Sequence, residues 1–312
     1  MNDIRLYEYD SNWPNIFSNQ AEEIRSCLGQ NCLEIHHIGS TSIPGMLSKQ
    51  DIDILCIVED LEASRILDDI GYQFKGEYNI PLKYSYSKNT EDFKVNLHIV
   101  KPSHGFISLN LKFRDYLRQE KDIALQYASL KRKILEDPIS SERTQMGISK
   151  YNLDKNLFIK DILNKAGFDD FIVNFVLHHK EWEEYHRIRK GEIFNEDNII
   201  YDPNHPTITA ENHYHFVLYK GAEIVSVAHI EFWDEKTAIL RPFATDRKHQ
   251  GKGYGSYFLR FLERWLKSQG KLIVKLHASN DAVEFYKNRG YKEMEFDEES
   301  LFKNCTDLGK EL

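Results

Sequence analysis

The sequence predicts a two-domain α+β (α/β) chain in which two mixed sheets are each flanked by helices. Three observations carry that prediction. The chain has 312 residues, about twice what one domain of roughly 100 to 200 residues needs. The alternation of strand-like and helix-like segments restarts near residues 165–170, where "KAGFDD" has the composition of a linker. Each half also contains its own glycine-bearing turn beside a strong strand. The expected domains are therefore residues 1–165 and 168–312.

Bulk composition narrows the function classes. With 41% hydrophobic and 29% charged residues the chain has the make-up of a soluble globular protein. The formal charge is −8, and neither half has a basic excess: 21 basic against 24 acidic residues in 1–165, and 20 against 25 in 166–312. Bulk nucleic-acid binding is therefore not expected. "MNDIRLYEYD" lacks a basic n-region, and no stretch approaches the roughly 18 to 20 apolar residues of a membrane helix, so no membrane partner is expected. Four scattered cysteines do not make a disulfide framework, and a reduced cytoplasmic protein is the expectation.

In the first half, "NWPNIFSNQAEEIRSCLG" predicts a helix, with Pro14 in its first turn, Ile16, Ile24 and Leu28 near one face and Gly29 as the stop. "CLEIHHIG" predicts a strand that ends in Gly39-Ser40-Thr41-Ser42. "DIDILCIV" is a strong, central-type strand, "LEASRILDDIGY" an amphipathic helix closed by Gly71, and "FKVNLHIV" a third strand. Two helical stretches follow in "HGFISLNLKFRDYLRQEKDIALQYASLKRKILE".

Asp51 and Asp53 stand inside the apolar run of "DIDILCIV", at i and i+2 of a strand, so both side chains point the same way. Carboxylates in such a setting are costly unless compensated. They either share a divalent cation such as Mg²⁺ next to phosphate held by the Gly39-Ser40-Thr41 turn, or they are hydrogen-bonded at a strand end. Lys49, Arg114 and Arg118 are candidate phosphate contacts. The two arginines lie one helical turn apart and present two forks to one anion, unless Asp115 or Glu120 engages them.

In the second half, "FIVNFVL" predicts a strand and "HHKEWEEYHRIRKGEIF" a helix. "YHFVLYK", "EIVSVAHIEFW" and "TAILRPFAT" predict three antiparallel strands. "QGKGYGSYFLRFLERWLKSQG" is a glycine-rich loop running into a long helix. "KLIVKLHA" predicts a strand, "NDAVEFYKNRG" a short helix and "YKEMEF" a last strand. The loop Gln250, Gly251, Lys252, Gly253, Tyr254, Gly255, leading into Ser256, joins backbone that can approach a ligand to a helix N-terminus, the elements of a pyrophosphate site. It lacks the G-K-[ST] ending of a P-loop, and it follows antiparallel strands rather than sitting in a parallel βαβ unit.

This segment resembles the GNAT superfamily of N-acetyltransferases, whose Q/R-x-x-G-x-G/A motif Gln250 to Gly255 meets. "HASNDAVEFYKNRGY" is similar to the family's second motif, with Asn280, Ala282, Phe285 and Tyr286 in place. The resemblance covers about residues 168–298. It implies acetyl-CoA as cofactor, direct attack of an amine on the thioester, Tyr286 as the acid for the leaving thiolate, and backbone amides around Phe243 and Thr245 that polarise the carbonyl. For the base, Glu231 and His229 share one strand face, and both stay open. Tyr185, His186 and Arg189 flank the expected acceptor pocket.

The first half resembles the GrpB-like family within the nucleotidyltransferase superfamily, through "IHHIGSTSIPGM", "DIDILCIV", "NLHIV" and "LKFRDYLR" over about residues 4–160. The resemblance implies a nucleotide with Mg or Mn on Asp51 and Asp53, and a third ligand on a later strand, where His98 stands in place of the superfamily's usual acid. A histidine there either completes the site or marks one that binds without catalysing. The lysine-proline usual before the acidic strand is Lys49-Gln50 here. The whole-chain expectation is an N-acetyltransferase acting on a small-molecule amine, joined to a domain that binds or transfers a nucleotide. The alternatives are a nucleotide or CoA-related sensor in the first half, or two worn-out folds. The acceptor and the oligomeric state stay open.

Overall fold

The computed structural model describes residues 4–143, 149–194, 200–296, 298, 300, 302 and 304–312. The chain divides into two units, Met1–Ile172 with Lys220–Ala222, and Val173–Tyr219 with Glu223–Leu312.

The first unit opens with α1 (Trp13–Leu28), which starts at a proline turn and buries Trp13, Ala21, Ile24 and Leu28. Five strands follow: β1 (Cys32–Ile38), β2 (Asp51–Val58), β3 (Gln73–Gly76), β4 (Tyr84–Asn89) and β5 (Lys94–Val100). Their order is β1-β2-β5-β4-β3, with β2 antiparallel to β1 and parallel to β5. One face of β2 and β5 supplies Ile52, Ile54, Cys56, Val58, Val95, Leu97 and Ile99 to a core shared with Trp13, Ile24 and Tyr72. Toward its C-terminal end β2 is buried on the other face too, where Leu55 and Ile57 meet Ile38, Val100 and Phe106. That two-sided burial explains its unbroken apolar run.

Helices α2 (Phe106–Gln119), α3 (Lys121–Leu135), α4 (Lys150–Asp154) and α5 (Asn156–Lys165) complete the unit. Leu117, Tyr127, Ala128 and Ile162 from this helical part pack with Ile43, Met46 and Leu47 of the segment that links β1 to β2. The expected helix after β2 forms as a 3-10 helix, Glu62–Ile70, closed by Gly71 in the left-handed region. The β3–β4 hairpin is an addition to the three expected strands. Its strand "YSYSKN" buries Ser85 and Ser87 as well as Tyr84 and Tyr86, so it carries a weak apolar signal for a buried strand.

The second unit contains β6 (Phe171–Phe175, which straddles the unit boundary), α6 (His179–Glu192), β7 (His213–Lys220), β8 (Glu223–Phe232), β9 (Thr237–Thr245), α7 (Tyr254–Ser268), β10 (Ile273–Ser279), α8 (Val283–Lys287), β11 (Lys292–Glu293) and β12 (Cys305–Glu311). The sheet order is β11-β12-β10-β9-β8-β7-β6. A capping box between His178 and Glu181 starts α6. The apolar face of α7 buries Phe258, Leu259, Phe261, Leu262, Trp265 and Leu266. The expected final strand "YKEMEF" contracts to the two residues of β11. The last long strand is β12, which lies between β11 and β10 and pairs with β10 over seven positions. Its sequence "CTDLGKE" has one large aliphatic residue, so it reads as a polar tail until its partner is known.

Among the described residues, no helix is long and apolar enough to cross a membrane, and the four cysteines are free.

Candidate functional site

In the second unit the site starts from a failure of strand pairing. β9 and β10 run parallel, but only Ile273–Lys275 pair with Thr237–Ile239. Beyond that point the two strands part, and the β10-facing edge of β9 from Leu240 onward is unpaired among the described residues. On its other edge β9 stays paired to β8, with a register slip in which Ala228 faces Phe243 and Ile230 faces Leu240. The extra residue lies at Arg241-Pro242. Proline lacks an N–H and fits a bulge rather than a regular ladder. Unpaired backbone at a bulge beside a cleft can donate to or accept from a ligand.

The glycine loop follows directly. Gly251 and Gly253 have φ of +75° and +80°, and a Cβ on either would meet nothing within 4 Å. The conformation demands glycine, while the space above stays open for a ligand. Gly253 precedes the first residue of α7 and so places the free N–H groups of that helix beside the space. Gly255 answers a different need: a Cβ there would lie 3.2 Å from Thr245 Oγ1. Gln250 is exposed and its Nε2 donates to Thr245 O at 2.9 Å and to Glu192 Oε2 at 3.2 Å, so it pins the loop to β9. Lys252 is exposed, and Tyr254 is half-buried. Ser256 Oγ accepts from Nε and Nη2 of Arg289, a cation at the start of α7 that sequence reasoning missed.

Tyr286 is buried beside Phe285, at 5.0 Å between ring centroids, and beside Tyr291 at 5.4 Å. Phe285 in turn approaches Phe243 at 6.4 Å. Burial pushes the Tyr286 phenol above its ordinary range, which keeps it protonated at neutral pH. Ala282 caps α8, and Asn280 lies in the exposed turn before it.

His229 and Glu231 are buried on one face of β8. The structure joins them to groups the sequence left scattered. His229 Nε2 and His213 Nδ1 share a hydrogen bond of 2.8 Å, and His229 stacks on His215 at 4.3 Å. His215 Nε2 lies 2.9 Å from Thr207 O. A carbonyl only accepts, so that nitrogen carries the proton and Nδ1 accepts from Tyr185 Oη at 2.7 Å. Tyr185 accepts from Arg189 Nη1 at 2.8 Å. Burial lowers the His215 imidazole to about 4 and holds His229 well below the usual range. Both rings are neutral at pH 7.

Glu231 faces a cation. Arg241 Nε donates to Glu231 Oε2 at 2.7 Å, and Arg241 Nη1 donates to Glu298 Oε2 at 2.6 Å. Oε1 of Glu231 lies 3.9 Å from His213 Nε2. Glu298 also lines a cleft of about 550 Å³ with Phe296, Ser300, Phe302, Asn304, Cys305 and Asp307. His186 shares a 2.5 Å hydrogen bond with Tyr201 Oη.

In the first unit the two expected carboxylates stand together on β2. Gly39 has a φ of +69°, and a Cβ on it would lie 2.9 Å from both Cβ and Cγ of Asp53. The turn takes a glycine because the Asp53 carboxyl occupies that space. Burial, and then the Asp51 charge, push Asp53 up to about 6. Asp53 Oδ1 accepts from Asn96 Nδ2 at 2.9 Å.

Several expected roles change here. Asp53 is paired across the sheet with Asn96, whereas His98 is opposite Leu55, two pairs further along. His98 packs edge-on to Phe106 at 5.5 Å, and its Nδ1 is buried without a partner among the described residues. Asp51, Asp53 and His98 do not form a metal cage: among the described residues no three His, Cys, Asp or Glu side chains gather to hold an ion. The amide of Asn96 takes the place nearest Asp53.

Arg114 and Arg118 turn inward. Arg114 Nη1 donates to His37 O at 3.0 Å and its Nε to Asp115 Oδ1 at 2.7 Å. Arg118 donates twice to Ser42 O, at 3.0 and 2.7 Å. Arg118 holds the end of the Gly39–Ser42 turn and Arg114 the end of β1 that leads into it, both through backbone carbonyls. Thr41 is fully buried; its hydroxyl donates to Asp51 O at 3.1 Å and accepts from His37 Nε2 at 3.1 Å. Ser40 Oγ accepts from Lys131 Nζ at 3.0 Å, a contact between elements more than 90 positions apart. Lys49 lies near the two carboxylates: Asp51 and Asp53 both act on its charge.

Comparison with known proteins fits this division. Residues 3–165 match the family model described as GrpB protein, and residues 176–291 match the acetyltransferase (GNAT) family. A UPF0157 protein of Halalkalibacterium halodurans is 32% identical over 167 residues, covering 52% of this chain and 82% of that one. Among solved structures, the conserved protein GrpB from Enterococcus faecalis is 30% identical, covers 52% of this chain and 96% of its own, and has a TM-score of 0.45. A GNAT family acetyltransferase from Elizabethkingia anophelis with acetyl-CoA bound is 18% identical, covers 32% and 77%, and has a TM-score of 0.28.

Proposed function

The chain belongs to the GrpB family and carries an acetyltransferase (GNAT) domain, and from that premise we propose that its second unit moves an acetyl group from acetyl-CoA to the amine of a small molecule by direct attack. One observation carries the reading: the strands β9 and β10 part beyond Ile239 and Lys275 next to a glycine loop whose Gly251 and Gly253 leave open space. The pyrophosphate of the cofactor rests at Gly251–Gly255 and the start of α7, with Arg289 behind Ser256. The thioester enters the gap between the strands. Protonated Tyr286 supplies the proton to the leaving thiolate. The cleft edged by Glu298 and Asp307 suits a cationic acceptor. Glu231, reached through Oε1 because Arg241 occupies Oε2, takes the ammonium proton directly or through water, with His213 and His229 beside it.

Calorimetry with acetyl-CoA tests the reading, followed by an amine panel scored by release of free CoA thiol. Absence of binding heat at high acetyl-CoA concentration removes the proposal. Tyr286→Phe is expected to lower kcat about 10²-fold while acetyl-CoA binding is retained.

For the first unit we propose a nucleotide-binding module that uses a divalent cation on Asp51 and Asp53 if it transfers a nucleotidyl group, as the nucleotidyltransferase superfamily does. Asn96 beside Asp53 favours the second reading, a non-catalytic nucleotide sensor, because an amide is a weaker ligand for Mg²⁺ or Mn²⁺ than a third carboxylate. Pyrophosphate release from nucleoside triphosphates with Mg²⁺ or Mn²⁺, in wild type and Asp51→Ala, separates the two.

A further inference from the structure

We propose that the first unit holds a phosphoryl or pyrophosphoryl group on a cluster of three lysines, Lys49, Lys131 and Lys155, without a metal ion. The proposal deepens the reading of that unit as a binder of a phosphorylated ligand and rests on it.

The three side chains come from three places in the sequence: the loop before β2, helix α3 and the junction of α4 and α5. Lys49 and Lys155 both place their ammonium over the ring of Tyr151, at 4.8 and 4.2 Å from its centroid. Lys131 is 1% exposed and lies 4.7 Å over the ring of Tyr127. Its Nζ donates to Ser40 Oγ and to Leu47 O, so it stands behind the Gly39–Ser42 turn. Lys155 donates to Asn152 Oδ1 at 3.0 Å. Among the described residues, none of the three has a carboxylate oxygen within the 4.0 Å of an ion pair.

Like charges gathered in a partly desolvated site repel one another, and protein chains rarely keep such an arrangement without a counter-ion. Among the described residues, Asp51 and Asp53 act on the charge of Lys49, and Asp53 on that of Lys155. Fully protonated, the three lysines carry one positive charge more than the two carboxylates offset. Aromatic faces soften that excess without cancelling it. A compact, multiply charged oxyanion fits: ammoniums are point donors that bind phosphate oxygens from several directions. The two arginines that the sequence offered for this task are spent on backbone carbonyls.

The charge state of the cluster supports the same conclusion. Burial, and then the neighbouring lysines, bring both Lys131 and Lys155 down to about 7. Lys155 faces Lys49 and Asp53; Lys131 faces Lys155 and Lys49; Lys49 faces Asp51, Asp53, Lys94 and Arg143. Without an anion Lys131 and Lys155 are thus only partly protonated at neutral pH; an arriving anion raises their proton affinity, so binding takes up protons.

The test is calorimetric titration of the full chain with sodium pyrophosphate and, separately, with ATP, in excess EDTA at pH 7.5 and in buffers of different ionisation enthalpy. The expected result is metal-free binding with net proton uptake, weakened about tenfold or more in Lys155→Gln and in Lys49→Gln. The glycine loop of the second unit is common to all variants, so only the heat lost on substitution counts. The melting temperature of ligand-free Lys155→Gln is expected to equal or exceed that of wild type, because substitution relieves repulsion; a purely structural lysine would give a drop. Absence of metal-free binding, or full binding retained by either folded variant, overturns the proposal. ATP binding that needs Mg²⁺ overturns it but leaves the nucleotide reading standing. Pyrophosphate binding without any nucleotide binding does the reverse.

Discussion

Two glycine turns, one in each unit, share a positive φ and have opposite reasons for it. Gly253 and Gly39 have φ of +80° and +69°. Around Gly253 a side chain would find empty space, and around Gly39 it would overlap a carboxyl group. The space beside the first glycine is open; the space beside the second is filled by the Asp53 carboxyl. A glycine-rich stretch is therefore not by itself a ligand site. What distinguishes the two is the occupant of the space a Cβ would fill, and that is a tertiary fact.

The sharpest way to break the comparison is Gly39→Ala. It combines left-handed backbone strain with displacement of Asp53, and a loss of about 3 kcal/mol is expected in denaturant unfolding. The double variant Gly39→Ala with Asp53→Ala should recover part of that loss, since the overlap with the carboxyl group disappears while the contact with the residue-53 Cβ and the backbone strain remain. A full additive loss in the double variant would show that Asp53 is not the reason for the glycine.

Gly253→Ala probes the other side. It meets no atoms, so only backbone strain opposes it, about 1 kcal/mol of stability. Its larger effect is expected on acetyl-CoA, with affinity falling about tenfold as the loop leaves the ligand-binding conformation. Unchanged affinity would place the cofactor elsewhere.

The smallest effect concerns pH. Lys131 and Lys155 have folded-state values near 7, below their ordinary 10.5. Between pH 7 and about 9 the unfolded chain binds more protons than the folded one, so the stability of the ligand-free protein rises with pH there. Tyrosines that burial holds above their ordinary 10, such as Tyr127 and Tyr151, reverse the trend at higher pH. Thermal melts at pH 7 and pH 9 should show the rise, and Lys155→Gln should cut it. A flat profile in wild type would argue against a cluster of depressed lysines.

Much of this molecule is legible in the sequence because its signals are local. The apolar run of "DIDILCIV", the stop at Gly71 and the loop from Gln250 to Gly255 depend on neighbours within a few positions. The β3–β4 hairpin and β12 are not legible in that way. Ser85, Ser87 and Gly309 become buried or close-packed only when a partner strand arrives. The site residues divide along the same line. Asp51 and Asp53 are adjacent in sequence and stand together in space, and so do the members of the glycine loop. Asn96 beside Asp53, Arg289 on Ser256, the chain from Arg189 through Tyr185 to His215, and Lys131 behind Ser40 join residues from distant segments.

The sequence alone determined the two-part organisation, the strand with its paired carboxylates and the loop before α7, since periodicity and turn chemistry are properties of short segments. The tertiary structure alone decided what those groups face. Arg114 and Arg118 share a helix face with either an anion or a backbone carbonyl within reach, and no local rule chooses between them. Packing chose the carbonyls, because unpaired oxygens in a tight buried turn need donors. It also brought Lys49 and Lys155, from two separate segments, over the ring of Tyr151.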